Sequence, residues 1–257
     1  MLAVEALRLV RGGATILDGV RAAFAPGRVT VVLGPNGAGK SSLLGCIAGV
    51  ITAQAGAITL GGAPIAALDR RARARRIGYL PQGGDVHWDV DVATLVGLGR
   101  FPHRGRWGGS AEDAAAIAAA MAATDTTRFA ERTVNTLSGG ERARVLLARV
   151  LAGTPEWLLA DEPLANLDPA HQLAALGCLR AAADKGVGVI AVLHDLSLAA
   201  RIADDVLLLR DGRVIGAGPV AETLTANAIA ATFGIAAAVE TTPEGVRYVV
   251  PLHGLRQ

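Results

Sequence analysis

The chain has 257 residues, of which 51% are apolar and 19% charged, with a formal net charge of +2. That length allows one large domain or two lobes with a substantial core, and the charge decides little about partners. Two cysteines, Cys46 and Cys178, far apart and without metal-ligand spacing, exclude a disulfide scaffold and point to a reduced, cytosolic chain. The opening MLAVEALRLVRGG carries acid and base early and lacks the form of a signal peptide.

In chain order, RVTVVLG (28–34) reads as a short buried strand, and GPNGAGKSSLLGCIAGV as a glycine loop opening a helix. The stretch Leu43 to Leu68 holds no charge, but Gln54, Pro64 and its glycines break it into a buried helix, a turn and a strand at 56–62, not a membrane span. Residues 69–78, DRRARARRIG, read as a solvated arginine-rich segment running into a strand, RRIGYLPQ (75–82). No aromatic residues interleave these arginines, so a nucleic-acid partner is not expected. Residues 83–109 read as irregular. SAEDAAAIAAAMAATD reads as a helix with Ser110 as N-cap and an acidic first turn. Residues 138–152 are a second helix, EWLLADEP a strand ending in two acids, 169–184 a helix and GVGVIAVLH a buried strand. VLLLRDGRVIGAG reads as a hairpin turning at Asp211-Gly212. Strands alternating with helices predict an α/β fold, with a helical insertion over about 83–152 and a small tail at 221–257.

Three stretches and one histidine carry chemistry. Gly34, Pro35, Asn36, Gly37, Ala38, Gly39, Lys40 and Ser41, followed by Ser42, match G-x-x-x-x-G-K-[ST] between a strand and a helix. Backbone amides of such a loop cradle phosphate oxygens, the lysine reaches the β- and γ-phosphates, and the serine holds Mg²⁺. Lys40 and Lys185 are the only lysines in an otherwise arginine-using chain, and a compact ammonium at 40 suits this role. In WLLADE, Asp161 would hold Mg²⁺ through its water shell and Glu162 would polarise an attacking water. His194 ends a strand and either contacts a γ-phosphate or serves as a structural donor. In TLSGGE, Ser138 and Glu141 fit a capping box, while Gly139 and Gly140 leave a helix start bare for an approaching anion.

Lys40 in its loop, Gln82 after YLP, LSGGE, LLADE, the Leu167-Asp168 pair and His194 occur in one order along residues 1–220. This order resembles the nucleotide-binding subunit of ATP-binding cassette (ABC) transporters. The resemblance implies a P-loop NTPase (RecA-like) cassette over 1–220, with a C-terminal extension over 221–257. It implies an ATPase using ATP and Mg²⁺, with Glu162, His194 and Gln82 catalytic and Ser41, Gln82 and Asp161 serving the metal. It makes Leu137, Ser138, Gly139, Gly140 and Glu141 a signature loop acting on ATP held by a second copy of the chain. Leu167 and Asp168 would couple the two sites of a head-to-tail homodimer.

The sequence departs from the family pattern at three places. Arg11 stands near the position where an aromatic usually stacks on adenine; an arginine plane can stack there instead. Glu141 replaces a glutamine, with Arg142 adjacent to offset its charge. Ala165 replaces a common serine in the coupling loop.

LVGLGRFPH (95–103), NLDPAHQ (166–172) and a tail with ATFGI and VRYVVPLHG resemble the subgroup importing iron chelates, haem and cobalamin. GRFPH followed by RGRWG favours haem, with ferric siderophore or cobalamin as the alternatives. A soluble cassette ATPase unconnected to transport is the more distant reading. The resemblance implies two transmembrane permease subunits, an indirect periplasmic binding protein, and a peripheral place on the cytoplasmic face of the bacterial inner membrane. Trp88 and Trp107 would pack on a permease helix. His87, His103, His171 and His253 show no metal-ligand spacing and are not read as haem ligands.

Overall fold

The computed structural model describes residues 1–83, 89–105 and 108–255; His87, Trp88 and Trp107 lie outside these. The first 24 residues, which carried no assignment from sequence, form two long antiparallel strands, β1 (Leu2–Arg11) and β2 (Ala14–Phe24). With β4 (Ala55–Leu60) and β5 (Ala63–Pro64) they make a sheet of order β2-β1-β4-β5. Its buried side chains, among them Leu2, Val4, Leu7, Leu9, Leu17, Val20 and Phe24, come from one face, as a one-sided antiparallel sheet requires.

The central sheet has the order β10-β9-β3-β8-β7-β6. Five of its strands run parallel: β3 (Val29–Leu33), β6 (Ile77–Leu80), β7 (Trp157–Asp161), β8 (Gly188–Val192) and β9 (Asp205–Arg210). β10 (Arg213–Pro219) turns back through Asp211 and Gly212, both at positive φ as a tight hairpin demands. Every residue of β3, β7 and β8 is buried, because both faces of the sheet are covered. Trp157, Leu159, Ile190 and Val192 face α1 (Lys40–Ala48) and the antiparallel sheet. Leu158, Ala160, Val189 and Ala191 face the core shared with the helices of the other layer.

Those helices are α3 (Val92–Gly97), α4 (Ala111–Ala123), α5 (Gly139–Ala152), α6 (Pro169–Asp184), α7 (Leu196–Ile202), α8 (Val220–Thr223) and α9 (Ala226–Phe233). Ser110 caps α4 through a complete capping box with Asp113. α3 corrects the irregular reading of 83–109: Asp91 caps it by accepting from the Thr94 amide at 2.7 Å, a start signal overlooked among the Gly and Pro residues around it. The tail closes with an antiparallel hairpin, β11 (Ile235–Thr241) and β12 (Arg247–Gly254), tied to α7 by Ser197, whose hydroxyl bonds both the amide and the carbonyl of Val249.

The arginine-rich segment is exposed, as expected, but is helical. Residues Arg70–Arg76 form α2, capped by Asp69, with no buried residue, as a solvated segment requires, yet four of its arginines also serve as struts. Arg71 and Arg75 donate to the Pro102 carbonyl, Arg73 to that of Gly49, and Arg76 pairs with Glu156 at 2.7 Å. A guanidinium presents several donors in a fixed fork, which suits bridging carbonyls of separate segments.

Among the described residues no helix is long and apolar enough to cross a membrane. Cys46 and Cys178 are free thiols. Leu158→Ala, which removes a fully buried side chain at the junction of sheet and helices, should lower unfolding stability by about 2–5 kcal/mol in urea titrations read by circular dichroism.

Candidate active site

β3 ends at Leu33 and α1 begins at Lys40, so residues 34–39 form the turn between them. Two of its glycines are sterically required. A Cβ on Gly34 would run into the Leu209 carbonyl. Gly39 has φ 99°, and a Cβ there would sit 2.8 Å from the Ile16 carbonyl. The bare turn leaves the first amides of α1 as a positive, donor-rich end.

Lys40 is buried, and its ammonium donates to the carbonyls of Gly34 at 2.8 Å and Pro35 at 2.9 Å. Burial pushes its pKa down, and the charges of Glu162 and Asp161 oppose that shift. The Ser41 hydroxyl donates to Asp161 Oδ1 at 3.0 Å. Burial pushes the Asp161 carboxyl up, against hydrogen bonds from Ser41 and Tyr79 that favour its charged form. Tyr79 answers in kind: burial, then the Asp161 charge, raise its phenol to about 12. Sequence reading missed Tyr79; the available signal was its place three residues before Gln82, at the end of the strand beside β7.

Glu162 follows β7 directly and sits at φ 51°, in the left-handed region that a branched or long side chain adopts at a cost of roughly 1–3 kcal/mol. The strained turn aims its carboxylate. Gln82 Nε2 donates to Oε2 at 2.7 Å, and His194 Nε2 lies 2.6 Å from Oε1. Three residues picked from separate parts of the sequence are thus gathered around one carboxylate. They border a cleft of about 770 Å³ lined by Ile16, residues 36–42, Gln82, Glu162 and His194. Arg11 is exposed at the end of β1 and is not part of that lining; on this strand pair the cleft wall is Ile16.

The 137–141 segment is not part of that lining either. Ser138 caps α5 in a full capping box: its hydroxyl accepts from the Glu141 amide at 3.3 Å, and Glu141 Oε2 accepts from the Ser138 amide at 2.9 Å. Arg132 lies 3.6 Å from Glu141 and adds positive charge at the helix start. The two glycines have different reasons. Gly139 faces open space, its nearest foreign atom being the Asn166 carbonyl, 3.9 Å from where a Cβ would stand. Gly140 does not; a Cβ there would enter the His171 ring, so its bareness serves packing within the chain. Leu167 packs at the core's edge, and Asp168 caps α6 by accepting from the His171 amide at 2.9 Å. Of the remaining histidines, His103 bonds the Gly153 carbonyl through Nε2 and His253 is exposed on β12.

Among the described residues no group of three or more His, Cys, Asp or Glu could hold a metal. The donors present at the loop are one hydroxyl and one buried carboxylate, both hard oxygen. That set is short of an all-protein cage and suits Mg²⁺, which takes one or two protein oxygens and shares the rest with waters and phosphate.

Residues 17–165 match the family model described as ABC transporter. The chain is 45% identical over 251 residues to the hemin import ATP-binding protein HmuV of Pseudomonas entomophila (strain L48), covering 95% of this chain and 96% of that one. It is 44% identical to the cobalamin import ATP-binding protein BtuD of Halobacterium salinarum (strain ATCC 29341), covering 98% of this chain and spanning 63% of that protein's length. Among solved structures, an inward-facing conformation of a metal-chelate type ABC transporter superposes with a TM-score of 0.85 at 26% identity, covering 98% of this chain and 97% of that one.

Gly39→Val should abolish binding of a fluorescent triphosphate nucleotide, weakening it by about 100-fold or more, while the far-ultraviolet circular dichroism stays unchanged.

Proposed function

This chain belongs to the ABC transporter family, and we propose that within it the chain is the ATP-hydrolysing subunit of a hemin importer. The observation that carries the ATPase reading is the gathering of Gln82 and His194 on the two oxygens of Glu162, beside a phosphate loop whose Ser41 meets Asp161. Likeness to a hemin import ATP-binding protein along nearly the whole of both chains favours hemin as cargo. Comparable identity to a cobalamin import subunit keeps cobalamin, and with it ferric siderophores, as the second reading.

In this reading the amides of residues 36–41 and the Lys40 ammonium bind the triphosphate. Ser41 and Asp161 would hold Mg²⁺, whose charge offsets that of the phosphate oxygens, and Tyr79 fixes the Asp161 carboxylate. Glu162 orients and deprotonates the attacking water, Gln82 senses the metal side of the site, and His194 contacts the γ-phosphate. The cleft lacks the signature residues Leu137 to Glu141, so a complete site needs a second copy, packed head to tail, with Leu167 and Asp168 facing across the pair. Residues 1–220 act as the cassette, with 83–152 as its helical insertion and 221–257 as an extension.

The transmembrane partners would seat in a second cavity of about 750 Å³ where α2 and α5 meet the turn after α3. Arg70, Arg73, Leu98 and Arg149 are among its lining, a groove of mixed polar and apolar surface with basic residues, suited to a permease loop. In this reading the chain sits peripherally, on the cytoplasmic face of the inner membrane, with a periplasmic binding protein acting through the permease.

Glu162→Gln should cut ATP turnover by about 100-fold or more while ATP affinity stays within about threefold; near-normal turnover would remove Glu162 from the base role. Tyr79→Phe should raise the Mg²⁺ concentration for half-maximal activity about tenfold with a smaller change in kcat. For cargo, the chain is co-purified with its permease, placed in liposomes and given hemin, a ferric siderophore or cobalamin with the binding protein. Stimulated hydrolysis and uptake with hemin alone support the assignment, another chelate replaces it, and the lack of any membrane partner sinks the transporter reading.

A further inference from the structure

The signature segment and the 166–168 loop, distant in sequence, press on one another within a single chain. Asp168 binds His171 twice: Oδ1 accepts from the His171 amide at 2.9 Å, and Oδ2 lies 2.8 Å from the ring's Nδ1. The ring so held lies against the backbone of Gly140, where a Cβ would fall 2.7 Å from Nε2 and nearer still to Cδ2 and Cγ. One residue earlier, the Asn166 carbonyl faces Gly139, and Asn166 itself sits at φ 60°. The imidazole is partly exposed, so core burial alone does not account for its position.

From this geometry we infer that His171 is a positioning residue, a strut that locks the signature loop to the coupling loop so that each subunit presents both to its partner as one rigid surface. The inference rests on the head-to-tail dimer of the preceding section. Both loops meet the partner there, one at its nucleotide and one at its coupling contacts. If they moved independently, ordering each would cost conformational entropy at every closure. A ring held by Asp168 and stacked on Gly140 removes that cost before the partner arrives. The strut touches no nucleotide of its own subunit, so nucleotide binding by the single chain is independent of it.

The test uses the full chain carrying Glu162→Gln, which accumulates the ATP-bound pair, and reads the ATP concentration for half-maximal dimerisation by analytical ultracentrifugation. Fluorescent-nucleotide binding is measured in parallel on dilute monomer. His171→Ala should raise the ATP concentration for dimerisation about tenfold and leave monomer nucleotide binding within about twofold. His171→Gln, whose amide can still bond Asp168, should recover most of the loss. Gly140→Ala should block dimerisation, because its Cβ meets the ring, and Gly140→Ala with His171→Ala should return to the level of His171→Ala alone. The strut is overturned if His171→Ala dimerises like its parent, if it weakens monomer nucleotide binding equally, or if the double variant stays as inactive as Gly140→Ala. If the Glu162→Gln parent binds nucleotide but does not dimerise, the head-to-tail reading falls and the strut with it.

Discussion

The hydrogen bond between Ser41 and Asp161 spans 120 residues of sequence, and the site depends on it. It exists because β3 and β7 run parallel with β8 between them, so their carboxyl ends open on one edge of the sheet. The serine arrives on the helix that follows β3, the aspartate on the last residue of β7. Any slip in strand register would separate them. The all-buried strands β3, β7 and β8, packed on both faces, hold that register. Their side chains alternate between two cores, one shared with α1 and the antiparallel sheet, the other with the helices, so each strand is pinned from both sides.

Around this bond the polar groups constrain one another. Burial raises Asp161 and lowers Lys40, and each group's charge opposes the other's shift. Tyr79 and Ser41 supply donors that favour the charged form of the carboxylate against its burial. Glu162 is then displaced from the strand by an unfavourable backbone conformation, and Gln82 and His194 hold its two oxygens. Strain at Glu162 and burial at Asp161 put two adjacent carboxylates in different environments.

Elsewhere the chain replaces apolar packing with arginine bridges and glycine contacts. Arg100, itself buried, bonds Asp113, the Ala152 carbonyl and the Thr154 hydroxyl, joining the turn after α3 to the start of α4 and the end of α5. Arg71 and Arg75 tie α2 to that same turn. Glycine at 140 lets a histidine ring take the place of a side chain. These contacts tie the elements of the helical layer to one another and to α2.

The sequence by itself determined the elements whose reasons are local. The phosphate loop, the Ser110 cap, the Ser138 capping box, the Asp211-Gly212 turn and the acidic end of β7 were legible because each depends on backbone conformation or short-range hydrogen bonding. The family order of motifs carried the fold class with them. Only the tertiary structure decided the rest. Strands β1 and β2 are half-exposed and mixed in composition, and their pairing is set by the partner strand and the core beneath. α3 was hidden because its turn-forming neighbours outweighed one Asp91 cap. The arginines of α2 became struts because carbonyls from distant segments came within their reach. Arg11 yielded the cleft wall to Ile16 because the β1–β2 turn sets which residue overlies Gly39. At Gly140 the fold adds a second reason for glycine, since the His171 ring packs where a Cβ would stand, and only what folds against a bare backbone reveals such a contact.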